Sequence, residues 1–417
     1  MRKIISILLI ALLSCAMFAS CNEKAPDIPL SDSAKLLTAD LTPIAQTDSQ
    51  ADDIFVNAIS DFGVKLYNAV DKDHNTMISP LSVMTALAMT ANGAKGETLS
   101  QMESALGGIK IDKLNSYLKT YAASLTAGDD FKLSQANSIW VKNHGFDANT
   151  EFLQRACDYY NAAIYSAPFD DGTVKDINSW VSNATDGMIK EALDHIDPES
   201  VMFLINAVCF DSKWENKYKD TDINKNAVFH AKSGDEACTL MNSEENRYIS
   251  GNNVKGFVKY YSGKKYAFAA FLPDDGITPD EWLKTQSGSS LLGLIKNASD
   301  ETVYCSLPKF KSEYSASLVN ALKTLGINDA FYGDLADFSE MGSSPLGNIY
   351  IGGVQHKTFI DNNEIGTKAA AVTVVDMTAE SISIPSHSVI LDRPFAYAII
   401  DITTSIPIFL GTVNSVS

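Results

Sequence analysis

Helical and strand-like patterns alternate along this 417-residue sequence, which predicts a mixed fold of helices and sheets. Three observations carry that expectation. Residues 53–70 and 80–106 place apolar side chains at helical spacing. Val201 to Phe210 and Tyr266 to Leu272 are apolar runs of strand length. Glu364 to Ser381 has small or β-branched residues through its first half, no proline and few charges, which favours an extended chain. Without its first fifty residues the chain is about 365 residues long, more than one core usually holds. No Pro/Gly/Ser-rich linker, low-complexity run or repeat marks a boundary, so composition leaves the domain count open.

The stretch from Glu364 to Ser381 organises the rest. It lies between an acidic, amide-rich turn (Asp361, Asn362, Asn363) and the serine-rich segment 381–388, a setting of exposed loop. Its own pattern is that of a strand. Thr367, Ala369, Ala371, Thr373, Val375 and Met377 fall on one side of an extended chain and none is charged. Lys368, Asp376 and Glu380 fall on the other, so the stretch could enter a sheet with its charges in water. A strand followed by an ordinary loop would give the same pattern.

Five blocks decide between these readings. Asn75-Thr-Met-Ile-Ser-Pro-Leu-Ser-Val, Asn206-Ala-Val-Cys-Phe-Asp-Ser-Lys-Trp-Glu, Leu307-Pro-Lys-Phe, Arg393-Pro-Phe with Phe409-Leu-Gly411, and the 364–381 stretch itself resemble blocks of the serpin family, in its order and at about its spacing. The resemblance runs from roughly Phe55 to the C-terminus. It implies a single α+β domain over 53–417, with three β-sheets, about nine helices and an exposed reactive loop. The family comprises protease inhibitors that act as suicide substrates.

At the N-terminus, Met1-Arg-Lys and the apolar run Ile4 to Leu13 form a basic and an apolar region, too short and too early for a spanning helix; they read as an export signal. Phe18-Ala-Ser-Cys21 resembles a lipobox with phenylalanine in place of the usual leucine, giving a signal peptide over 1–20 and a lipidated Cys21. Leu12-Leu-Ser-Cys15 is a rival that would leave apolar residues at the new terminus, and cleavage by ordinary signal peptidase is the other alternative. Residues 21–52 are polar, with Pro26, Pro29 and Pro43, and read as a tether. These features place the protein among bacterial lipoprotein-type serpins, exported and lipid-anchored to the envelope, at the outer membrane or cell surface.

A formal charge of -18 argues against nucleic acid as partner, because such binding rests on Lys and Arg neutralising phosphates. Cys157, Cys209, Cys238 and Cys305 show no CxxC or metal spacing; Cys209 sits in an apolar run as a small hydrophobe, and no disulfide is assigned. The sequence lacks GxSxG, HExxH, Walker and GxGxxG motifs, and the six histidines form no ligand pair. An enzyme, a metal and a cofactor are therefore not expected, and a monomer is.

Taken in order, Pro80 after Ser79 suits a helix start. Ile177, Trp180, Val181, Ala184 and Met188 mark one face of an amphipathic helix, which the resemblance lays across the front of the main sheet. Val389 to Ile400 and Ile406 to Val413, interrupted by Arg393-Pro394 and Pro407, suit central strands of a smaller sheet. By resemblance, Ser79, Ser82, Asn206 and His356 match the shutter beneath the main sheet, where polar groups would form a lock that rearranges as strands part. Trp214 matches the tryptophan at the breach, where the hinge first enters.

The family mechanism implies a loop offered to a serine or cysteine protease, an acyl-enzyme formed at one carbonyl, and insertion of the freed hinge into the main sheet. About fifteen inserted residues at roughly 3.3 Å each travel near 50 Å, close to the ~55 Å diameter of a chain this long. The native state is then a kinetic trap. The hinge comprises Glu364, Gly366, Thr367, Ala369, Ala370 and Ala371; Gly366 supplies a pivot and the small residues slip between strands. Ile365 and Lys368 are atypical of the family. Counting along the hinge puts the reactive bond at Glu380–Ser381, suiting a glutamyl endopeptidase. The distance to Arg393 is longer than usual, so Met377, Thr378, Ala379 and Ile382 remain alternatives suited to elastase- or subtilisin-like enzymes. The alternative function is a non-inhibitory serpin serving as a surface binding or carrier protein, against which the alanine run argues.

Overall fold

The strand Met202–Lys213 is apolar on both faces, and both are covered. Met202, Leu204, Val208 and Phe210 enter a large core, while Phe203, Ile205, Ala207 and Cys209 enter a smaller one. A central strand buried on two sides reads as a nearly continuous apolar run, as this one does from Met202 to Phe210, where Asn206 is the one polar residue. The computed structural model describes residues 33–47, 49–72, 74–125, 131–197, 199–367 and 385–417. Among them are nine α-helices and sheets of seven, six and four strands, with a two-stranded ladder besides.

The seven-stranded main sheet runs Lys35–Leu36, Ala163–Ala167, Phe131–Lys142, Met202–Lys213, Gly366–Thr367, Gly353–Asn362, Phe310–Ser317. Helix Asp171–Ala184 closes its front, packing Ile177, Trp180 and Val181 onto the smaller core. The apolar periodicity extends to Met188, but the helix ends at Ala184. Asp186 and Gly187 take φ of 51° and 71°, which no right-handed helix accommodates, and Met188 packs on the same core from beyond that turn.

Behind the main sheet lies the six-stranded sheet, ordered Thr76–Ile78, Pro407–Val413, Phe395–Asp401, Tyr266–Pro273, Val254–Tyr260, Tyr248–Gly251. Helices Asp53–Ala69 and Pro80–Ala91 pack into the same core. The first is capped by Asp52, which accepts from the Phe55 amide at 3.0 Å; the second starts with proline behind a Ser79 cap. The apolar stretch 389–400 divides between two sheets. His387–Ile390 joins the four-stranded sheet beside Val303–Pro308, and Phe395–Asp401 joins the six-stranded one. Pro394 falls in the break, where its missing N–H costs no ladder bond.

The chain expected to be a tether is, from Ser33, laid along the domain. Lys35–Leu36 pairs with the edge strand Ala163–Ala167, and Leu37 and Leu41 pack against the large core. The Ile44 amide donates to Asp158 at 2.7 Å and Gln154 donates to the Thr42 carbonyl at 3.0 Å. An edge strand with free N–H and C=O groups offers such a segment a place to pair. The packed chain thus begins before residue 53. Cys157, Cys209, Cys238 and Cys305 are all buried and unbridged.

Candidate functional site: the hinge and the seam beneath it

Two strands of the main sheet run parallel and are bonded directly to each other at one end only. Gly353–Phe359 pairs with Phe203–Cys209 residue for residue. Beyond Cys209 the strands separate, and Gly366–Thr367 lies between them, antiparallel to both. Gly366 faces Lys213, and Thr367 faces Ser212 on one side and Asn362 on the other. The hinge therefore already occupies the first two positions of a slot.

The described hinge residues, Glu364 to Thr367, are held by named groups. Trp214 donates its amide to the Ile365 carbonyl at 2.8 Å and its indole N–H to the Asn363 carbonyl at 2.9 Å. Tyr218 donates its amide to the Glu364 carbonyl at 3.1 Å. Glu364 is ion-paired with Lys309; burial raises its carboxyl, but the lysine, a backbone amide and the charge of Lys225 together outweigh this and the group lies below the usual range. The φ of Gly366 is not left-handed; the site demands glycine because a Cβ there would fall 2.1 Å from the Ser212 carbonyl oxygen. Thr367 is fully buried, and its hydroxyl lies 2.8 Å from the phenol of Tyr261. Tyr261 in turn stacks on Trp214 with ring centroids 4.4 Å apart. Trp214, Tyr261 and Thr367 thus make one continuous buried seam.

Further along the slot, where the two strands still pair, the polar residues singled out in the sequence meet. The Nδ1 of His356 bonds the Asn206 side-chain oxygen, and its Nε2 accepts the Ser79 amide at 3.2 Å. Nε2 is therefore the bare nitrogen. Asn206 donates to Ser82 Oγ at 2.6 Å and to Asn137. Protonation would set an N–H against the Ser79 N–H in a site without solvent, and burial pushes the His356 pKa down to about 3. The imidazole is neutral, and its bond ties Gly353–Asn362 to Met202–Lys213 where the two strands pair directly.

The scan against family models matches residues 57–416 to "Serpin (serine protease inhibitor)". The chain belongs to the serpin family. An uncharacterized serpin-like protein of Thermococcus kodakarensis is 30% identical over 369 residues, covering 85% of this chain and 84% of its own. Leukocyte elastase inhibitor of Equus caballus is 29% identical, with 85% and 97% covered. The crystal structure of Tengpin, a thermophilic serpin, in its native state superposes with a TM-score of 0.89 at 48% identity, covering 92% of this chain and 100% of that one. Its latent state gives 0.79 at 47%, with 89% and 100% covered. Serpins are generally protease inhibitors rather than catalysts, and the mixed fold with nine helices is theirs.

Of the serpin's site residues named from sequence, Ser79, Ser82, Asn206 and His356 come together in one cluster, and Trp214, Glu364, Gly366 and Thr367 in a second. Ala369, Ala370, Ala371, Met377, Thr378, Ala379, Glu380, Ser381, Ile382 and the anchor Cys21 lie outside the described residues. Sequence reasoning missed Asn137, Tyr261 and Asn363. Asn137 stands directly across from Asn206 on the neighbouring strand, a pairing that exists only once the register is set. Asn363 contributes its backbone carbonyl to the Trp214 indole, while its side-chain oxygen accepts from the Ile365 and Gly366 amides at 3.0 and 3.3 Å, a turn-forming role that the amide-rich Asp361-Asn-Asn363 run could have signalled.

Proposed function

We propose that this serpin inhibits a serine or cysteine protease as a suicide substrate. The observation that carries the reading is the pairing of Gly366–Thr367 between Met202–Lys213 and Gly353–Asn362, because it supplies a starting point and a direction for insertion. The protease nucleophile attacks one loop carbonyl, the acyl-enzyme forms, and the amine of the following residue leaves with the C-terminal part of the loop. The freed hinge then extends down the slot, separating the seven residue pairs from Phe359–Cys209 to Gly353–Phe203, and carries the bound enzyme with it. Glu380–Ser381 is the proposed bond, with Met377, Thr378, Ala379 and Ile382 as neighbours an elastase- or subtilisin-like enzyme would choose. The name of the equine relative, leukocyte elastase inhibitor, supports the elastase class as one of these. The N-terminal pattern supports export and attachment to the envelope through lipid on Cys21.

The test is to mix the domain with an elastase, a subtilisin and a glutamyl endopeptidase and run denaturing gels. A band at the summed mass that survives boiling is expected, and the mass of the released C-terminal peptide fixes the bond. Cleavage in the loop by all three with no such band would overturn the inhibitor reading in favour of a surface binding or carrier protein.

A further inference from the structure

The hinge residues bond to Trp214 and Tyr218, and both rings lie against one buried cation. Lys259 belongs to the six-stranded sheet and its side chain is 1% exposed; it pairs at 2.7 Å with Glu245, the 8%-exposed last residue of a strand in the four-stranded sheet. Ser243 donates to the same carboxylate oxygen at 2.8 Å. The ammonium sits 4.4 Å from the centroid of the Tyr218 ring and 5.4 Å from that of Trp214, within the range of cation–π attraction. The pair therefore stands where all three sheets meet, behind the two residues that receive the hinge.

A buried ion pair is a poor source of stability, since desolvation consumes most of the Coulombic gain. What it can supply is position. One donor of the ammonium goes to the carboxylate, and its remaining charge faces two ring faces. Those rings belong to the residues whose amides bind the Ile365 and Glu364 carbonyls. We propose that the Lys259–Glu245 pair is a positioning device for loop insertion, fixing Trp214 and Tyr218 so that the first hinge bonds form in register. The pair acts through Trp214 and Tyr218. The proposal rests on the insertion reading above, and its test is separable from it.

The decisive measurement is hydrogen exchange at the Trp214 and Tyr218 amides in Lys259→Met, Glu245→Gln and the double variant Lys259→Met/Glu245→Leu, which needs no protease. Both amides should exchange at least tenfold faster in the single variants, with the amides of the Tyr266–Pro273 strand unchanged. The double variant, which leaves no unpaired buried charge, keeps the test open should a single variant not fold, and it should still show the loss of protection. Against a protease that forms the covalent band, the association rate should stay within twofold while the number of inhibitor molecules consumed per enzyme rises at least threefold. Unchanged exchange at the two amides, or equal acceleration across the whole six-stranded sheet, would reduce the pair to an ordinary structural contact. Loss of hinge protection with no covalent band in the parent protein would leave the positioning role standing and remove only the inhibitory reading.

Discussion

The phenol of Tyr261 lies 2.8 Å from the hydroxyl of Thr367, and both groups are fully buried at the point where the hinge enters the main sheet. That contact fixes which side of the hinge faces the core. It predicts that Thr367→Arg converts an inhibitor into a substrate, because a guanidinium would enter a buried site where the threonine hydroxyl meets a neutral phenol and no carboxylate among the described residues is bonded to it. The covalent band should disappear while loop cleavage continues. Full inhibition by the variant would show that Thr367 does not enter facing inward. Thr367→Val should cost about 1–3 kcal/mol by leaving the Tyr261 hydroxyl unpaired.

Gly366 allows a steric test of the resting state. With Ser212 O so near, Gly366→Val should expel the hinge from the slot, exposing the Trp214 amide to exchange while the rest of the main sheet keeps its protection. Retained protection at Trp214 would mean that the sheet adapts to the added side chain.

Titration of His356 should govern acid stability. Its folded pKa of about 3 lies below the ordinary 6.5, so the unfolded chain takes up a proton that the folded one refuses. Stability is complete above about pH 6.5 and falls as the pH drops towards 3, by up to about 1.4 kcal/mol per pH unit. Urea midpoints at pH 7, 6, 5 and 4 should fall accordingly, and His356→Gln should flatten that slope while starting less stable at pH 7. Parallel slopes would assign acid sensitivity to other groups.

The register at the hinge can be carried forward, one residue on for one residue back along each neighbour. From Thr367 between Ser212 and Asn362, Thr373 arrives between Asn206 and His356 in the inserted product. A hydroxyl would then meet the two polar groups whose mutual bond insertion breaks. Thr373→Val should leave them unpaired, slow insertion and raise the amount of inhibitor consumed per enzyme several-fold, without altering the rate of first encounter. An unchanged stoichiometry would indicate a different final register.

Attachment to the envelope is checked by labelling with palmitate. The label should follow the protein into the membrane fraction and be lost in Cys21→Ala; labelling that persists in the variant would point to the alternative at Cys15.

Much of this serpin was legible in its sequence because burial leaves a compositional trace. Val201 to Phe210 is apolar but for Asn206 since both its faces are covered, and Thr367 with the alternate residues after it is uncharged on the side that can face a core. Local chemistry marked other boundaries, as at Ser79-Pro80, where cap and proline begin a helix. Tertiary structure decided what depends on partners far apart in the chain. Asn137 and Asn206 become neighbours only through strand register, and Lys259 finds Glu245 and the two rings only where three sheets converge. The helix whose apolar periodicity runs to Met188 stops at Ala184, because apolar spacing records which side chains are buried and not whether the backbone between them stays helical. Sequence by itself determined which faces are buried; pairing across the sheets decided what those faces meet, since hydrogen-bond partners on different strands are set by register and leave no mark on either residue alone.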